Sequence, residues 1–341
     1  MPPEQQKPSP PEHSIAIWGA PGSGKTTFLA ALNIALMHKK GPWRIFGSDG
    51  PSSDFLVEMT TALSKNQSFP EATQAIGNYR WVLSRKADDD GPGRSLRPKP
   101  KTAHRIGLDV VDAPGGFYHA QRAKAGPDRE ALLDNLERSS GIVYLFDPIR
   151  EFKSGDAFDF LHGVLTDLAG RMLSNGEYAD DMLPHHLAVC VTKFDDLRVL
   201  RTAQKLGMLM PDPDDQHSFP RVDDDYAEEL FQELCSVSSS GYAGMVVPAL
   251  KQFFRREQIK FFVTSSIGFF VDPAKGSFDL DDPQNLLPEA PRHPGEPAGP
   301  GGPPAKRYRI RGPVYPINVV EPMLWLGQRM AAQAPRRTAG R

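Results

Sequence analysis

The chain has 341 residues, 39 % of them hydrophobic and 24 % charged, with a formal net charge of −2 at pH 7. That length predicts roughly two domains, or one large α/β domain with insertions. The near-neutral charge argues against a general affinity for nucleic-acid backbone or anionic lipid, and two cysteines are too few for a disulfide framework.

Residues 1–12, with five prolines in the first eleven positions, read as a disordered leader without the apolar core of a signal peptide. No apolar run reaches the ~20 residues needed to cross a bilayer, so the chain reads as cytosolic. A strand is expected at 14–19 and a helix at 25–38, joined by a glycine-rich turn. A mixed region follows, with a helix near 54–65. "YRWVLSRK" (79–86) and "AHRIGLDVV" (103–111) read as paired strands joined by a long polar loop, whose Asp88–Asp90 run reads as solvated.

"DREALLDNLER" (128–138) reads as a helix feeding the strand "GIVYLFD" (141–147). Phe158, Leu161, Leu165, Leu168 and Met172 recur at helical spacing. "HLAVCV" (186–191) and "KFFVTSS" (260–266) are further apolar strands. Amphipathic segments lie between them at 224–236 and 242–255, the second interrupted by Pro248. Cys190 and Cys235 sit in apolar segments and read as buried thiols.

From Pro283 to Pro304, 12 of 22 residues are Pro or Gly, which predicts a flexible loop. The expected organisation is a domain at 13–275 with an insertion at 40–102 and a Pro/Gly-rich loop at 276–306. A segment and helix at 307–333 pack back on the domain, and 334–341 form a tail. The fold class expected is α/β, a mostly parallel sheet with helices on both faces, because strands alternate with helices and several strands are apolar throughout.

Four motifs carry chemistry. "GAPGSGKT" meets G-x-x-x-x-G-K-[ST] through Gly19, Gly24, Lys25 and Thr26, with a strand before it and a helix after. Gly19, Gly22, Ser23 and Gly24 would let backbone N–H groups wrap phosphate. Lys25 would neutralise the β/γ oxygens, the Thr26 hydroxyl would meet Mg²⁺, and Thr27 starts the helix. "LDVVDAPGGF" brings Asp112 to a strand end, where it can reach Mg²⁺ through water, and Gly115 allows a backbone N–H near a γ-phosphate. Asp147, ending "GIVYLFD", is a rival for the Mg²⁺ carboxylate.

The third motif, "TKFD", places Thr192, Lys193 and Asp195 after an apolar strand. One carboxylate can accept both the N1–H and the N2 amino group of guanine, while adenine presents a lone pair there. Such paired hydrogen bonds can discriminate by about 10⁴–10⁵. The Lys193 stem would cover a face of the ring. The fourth motif is Thr264-Ser265-Ser266, a small-residue turn able to aim a backbone N–H at guanine O6.

In this order the motifs resemble those of the translation-factor-related class of P-loop GTPases, Ras-like and Era-like. Within the class, uncharacterised bacterial single-chain and double-GTPase families look most similar. The resemblance covers about 14–266 and implies GTP/GDP as ligand and Mg²⁺ as cofactor. It matches Lys25 and Thr26 to the phosphate and Mg²⁺ residues, Asp112 and Gly115 to D-x-x-G, and Thr192, Lys193 and Asp195 to the base motif, with Thr for the usual Asn. That favours Asp112 over Asp147 for Mg²⁺ and leaves Asp147 as a capping residue.

The chain also departs from the class. Gly116 and Phe117 follow Gly115, so no side chain there orients the attacking water. His119 is the nearby candidate, against its reading as a surface histidine. Among Thr60, Thr61, Thr73 and Thr102, Thr73 is preferred as the switch threonine at Mg²⁺ and γ-phosphate, and Arg122 and Arg129 are finger candidates. The expectation is slow, partner-stimulated GTP hydrolysis by a conformational switch with an unknown protein effector and no nucleic-acid partner. The rivals are a P-loop ATPase or phosphotransferase using Asp147 for Mg²⁺, and a non-hydrolysing guanine-nucleotide module.

Overall fold

The structure, a computed structural model, describes residues 13–20, 22–38, 41–70, 77–85, 104–112, 127–176, 181–212, 215–238, 241–288 and 308–333. Within them it leaves aside the side chains of His104, Val111, Asp112, Pro127, Asp128 and Gln333.

The first apolar run forms β1 (Ser14–Gly19), and the residues after the glycine turn form α1 (Lys25–His38). β2 (Trp43–Gly47) and α2 (Gly50–Ser64) follow; Asp49 caps α2 by accepting the Ser52 N–H at 2.8 Å. β3 (Gly77–Arg85) and β4 (His104–Asp112) pair antiparallel, Gly77 opposite Asp112, as the sequence predicts. Then come α3 (Pro127–Arg138), β5 (Gly141–Phe146), α4 (Pro148–Ser154), α5 (Ala157–Ser174), β6 (His186–Val191) and α6 (Leu197–Lys205).

The short strands β7 (Leu209–Pro211) and β8 (Pro220–Val222) form a small ribbon before α7 (Ala227–Ser236), α8 (Val246–Phe253) and β9 (Ile259–Val263). Pro248 does not interrupt α8, which begins at Val246. It lies in the first turn, where an N–H has no intrahelical acceptor to lose. β10 (Leu286–Pro288) pairs antiparallel with β11 (Tyr308–Ile310), and α9 (Glu321–Gln333) closes the described chain. β10 lies inside the stretch expected to be a Pro/Gly-rich loop.

The main sheet has the order β2-β3-β4-β1-β5-β6-β9. Its five strands from β4 to β9 are parallel, while β2 and β3 extend it as an antiparallel ribbon. The chain is therefore α/β with a mostly parallel sheet covered on both faces. Alternate residues of each strand feed two cores. Trp18, Tyr144, Phe146 and Val189 pack with α3, α5, α7 and α8; Ile17, Val143, Leu145 and Cys190 pack with α1, α2 and α9. Burial on both faces is why β5 and β6 read as continuous apolar runs. It also pushes the Cys190 and Cys235 thiols well above their ordinary range, which leaves both as unreactive core groups. No helix among the described residues is long and apolar enough to cross a membrane.

Candidate functional site

Parallel strands place all their carboxyl ends on one edge of the sheet, and the motifs collect there. The glycine turn leaves β1, Asp112 ends β4, Asp147 follows β5, Thr192–Asp195 follow β6 and Thr264–Ser266 follow β9. Strands on either side of β1 are reached by connections running in opposite directions, β4 on one side and β5 on the other. Ligands of open α/β sheets bind at such a switch point. With neighbouring strands ~4.8 Å apart, β6 lies ~10 Å and β9 ~14 Å from β1.

At the β1 end the backbone of Gly22 (φ +74°) and Gly24 (φ +92°) is left-handed, and a Cβ on either would meet nothing within 4 Å. At Gly19 the constraint is contact instead: a Cβ would sit 2.6 Å from Ser23 Oγ and 2.7 Å from the Leu145 carbonyl oxygen. The Ser23 N–H donates to the Ala20 carbonyl at 3.0 Å and Phe28 N–H to the Gly24 carbonyl at 2.7 Å, which starts α1 directly at the turn. Lys25 is buried, its Nζ donating to the Gly19 carbonyl at 3.2 Å. Ser23 Oγ is buried and has no partner among the described residues. A glycine cradle with open space, a buried ammonium and an unpaired buried hydroxyl at a helix N-terminus fit an anionic phosphate chain.

The β6 and β9 ends are built differently. Asp195 is buried, and one of its carboxylate oxygens accepts the Ser265 hydroxyl at 2.5 Å. Ser265 Oγ in turn accepts the Gly268 N–H at 2.8 Å. Gly268 has φ +66°, and a Cβ there would lie 1.9 Å from the Tyr315 carbonyl oxygen. Burial pushes the Asp195 carboxyl up to about 6, against the opposing pull of the Ser265 hydroxyl. Thr192 donates both N–H and Oγ1–H to the Phe146 carbonyl at 2.9 Å, tying the end of β6 to that of β5. Lys193 is left-handed (φ +60°), and its Nζ donates to Asp147 Oδ2 at 2.5 Å. Asp147 also caps α4, accepting the Ile149 and Arg150 N–H groups at 2.9 and 3.1 Å.

No family model matches the chain, and no curated protein does. Solved structures show some similarity to it, three of them as follows. One is the signal recognition particle receptor SRb-GTP/SRX complex from Chaetomium thermophilum: 16 % identity, TM-score 0.34, covering 77 % of this chain and 94 % of that one. Another is the S. cerevisiae Ski7 GTPase-like domain bound to GTP: 15 % identity, TM-score 0.33, covering 74 % and 42 %. The third is the bacterial selenocysteine-specific elongation factor EF-Sec: 14 % identity, TM-score 0.25, covering 58 % and 23 %. Likenesses of this size carry no functional argument.

The structure brings Gly19, Gly22, Ser23, Gly24, Lys25, Thr26 and Thr27 together at the β1 end, and Thr192, Lys193, Asp195, Ser265 and Ser266 across the β6 and β9 ends. Two details differ from the sequence expectation. The Ser265 N–H donates to the Ile317 carbonyl at 3.0 Å, so Ser265 reaches Asp195 through its side chain and its own N–H is engaged within the fold. Thr192 has its hydroxyl engaged on Phe146, which makes it a brace between strand ends.

Thr60 lies in α2, buried, accepting from Asn33 Nδ2 at 2.9 Å, which removes it as a switch threonine. Arg129 donates from α3 to Asp167 on α5 at 2.6 Å, which makes it a helix-to-helix brace instead of a finger. Gly115, His119, Arg122, Thr73 and Thr102 lie outside the described residues, as do the leader, residues 289–307 and the tail. Among the described residues no cluster of three or more His, Cys, Asp or Glu forms an all-protein metal cage. The Ser265–Gly268–Tyr315 support of Asp195 had no sequence signal beyond a small-residue turn.

Proposed function

We propose that the chain is a Mg²⁺-dependent guanine-nucleotide-binding protein that hydrolyses GTP slowly and acts as a conformational switch. The observation that carries the reading is Asp195. A buried carboxylate, two strands from a phosphate cradle on the same sheet edge and held by Ser265 and Gly268, matches the two adjacent donors of guanine. Adenine would set a lone pair against that charge. Lys25 would neutralise the β/γ oxygens, and Ser23 Oγ would gain the partner it lacks among the described residues.

Mg²⁺, when bound, would offset charge on the β- and γ-phosphates. Thr26 and Asp112 are the residues that would hold it, a sparse protein contribution normal for an ion that keeps water and phosphate oxygens as ligands. The ATPase alternative needs Asp147 for that ion. Its carboxylate is already engaged by two backbone N–H groups and Lys193, which weighs against that alternative. Gly115 and His119 are the proposed catalytic contributors on the segment after Asp112, and Thr73 the proposed γ-phosphate sensor. With Gly116 and Phe117 where a water-orienting side chain belongs, a protein partner would supply the remaining acceleration.

Calorimetry of GDP against ADP on the Mg²⁺-loaded protein, repeated with Asp195→Asn, tests the reading. Strong GDP preference that moves toward xanthosine diphosphate in the variant is expected. Equal affinity for GDP and ADP would replace it with an ATP-using one.

A further inference from the structure

One carboxylate beside the base residues has no part in the reading so far. Asp147 follows β5 directly, its side chain 3 % exposed, while the Lys193 side chain it meets is 40 % exposed. The pair joins adjacent strand ends, next to the brace that Thr192 makes to the Phe146 carbonyl. Asp147 itself is immobilised. One oxygen accepts two N–H groups of the first turn of α4, and Pro148 at the start of that helix pre-sets its backbone.

Lys193 is the opposite kind of residue: a long, rotatable stem on a backbone held at φ +60°, a conformation that persists only where its surroundings impose it. The Asp196 N–H donates to the Lys193 carbonyl at 2.9 Å and Phe194 N–H to the Thr264 carbonyl at 3.1 Å. The peptide after Lys193 is thereby anchored, and Thr192 before it is held on the Phe146 carbonyl. Only its side chain would be free, and Asp147 removes that freedom.

We propose that Asp147 is a positioning residue for base recognition: fixed by the N-terminus of α4, it tethers Lys193 across the ends of β5 and β6 before nucleotide arrives. This inference rests on the guanine reading of the same site. A pre-tethered stem loses little rotamer freedom when a base settles against it, so the tether adds affinity without touching the nucleotide. It also gives a strand-end Asp that looks like an ATPase metal ligand a different role.

The test is a double-mutant cycle by calorimetry, with GDP and ADP as the probes. Asp147→Asn keeps an N-cap acceptor while losing the charge on Lys193, and should weaken GDP binding about tenfold. Lys193→Met keeps the stem without the ammonium and should show the same loss, which guards against an Asp147 variant that folds poorly. The double variant should be no weaker than Lys193→Met alone.

Losses that multiply in the double variant, or a Lys193→Met protein that binds GDP like the wild type, would overturn the tether. So would an Asp147→Asn protein whose Mg²⁺ requirement changes. The two readings fail separately. A wild type that prefers GDP with neither variant altered leaves the guanine reading standing and removes the tether. A wild type that binds GDP and ADP alike, with both weakened by either substitution, removes the guanine reading and leaves a tether for nucleotides in general.

Discussion

The two ends of the candidate site, the proposed phosphate end and the proposed base end, are built on the same sheet edge by opposite means. At the β1 end the work is done by backbone: left-handed glycines with open space beside them, and an unpaired Ser23 hydroxyl. At the β6 and β9 ends it is done by side chains already locked to one another, Ser265, itself held by the Gly268 N–H, on Asp195, and Asp147 on Lys193. The phosphate end is general, because any polyphosphate satisfies N–H groups and an ammonium. In the proposed reading the base end would be selective, because a buried carboxylate favours a ligand that brings two donors.

The sharpest way to break this contrast is Asp195→Asn. It should lower the GDP-over-ADP preference by about 10³-fold, read as a ratio of dissociation constants. The same change should raise the melting temperature of the nucleotide-free protein at pH 7.5 by a few degrees, since it removes a buried charge. A variant less stable than wild type would show that the carboxylate is not a burden on the fold.

Lys25→Ala attacks the other end. It should weaken GDP and ADP alike, by about 100-fold, and leave their ratio unchanged. Gly268→Ala forces a Cβ onto the Tyr315 carbonyl and should cost about 2–4 kcal/mol in denaturant unfolding, with base preference reduced in what still folds.

The smallest effect is on pH. The Asp195 carboxyl is raised from 3.8 to about 6, so the folded protein favours its protonated form. Its contribution to stability is therefore most favourable below about pH 4 and is lost as pH rises to about 6. Guanine needs the ionised form. GDP affinity should fall about tenfold between pH 7.5 and 5, through the titration near 6, while ADP affinity changes less. Equal pH dependence for the two nucleotides would detach Asp195 from the base.

Much of this was legible in the chain because its signals are local. A strand buried on both faces is a continuous apolar run, so β1, β5, β6 and β9 stand out. The glycine turn announces itself by residue type and spacing. Short elements that lack such a run do not. The edge strand β2, the two-turn α4 and the helix α6 went unseen, because too few residues repeat to set a period and α4 owes its start to an Asp–Pro pair. Asp147 illustrates the limit. From sequence it was a metal-ligand rival or a cap, and only its neighbour across the strand gap decides what else it does.

The sequence by itself determined the element types of the parallel core, the phosphate turn and the identity of the charged groups, since each follows from residues within a few positions of one another. The tertiary structure alone decided which groups meet. Asp195 and Ser265 are 70 residues apart, and Lys193 and Asp147 are 46 apart. They converge because parallel strands deliver their carboxyl ends to one edge, and neither spacing nor composition encodes the order in which those strands lie side by side.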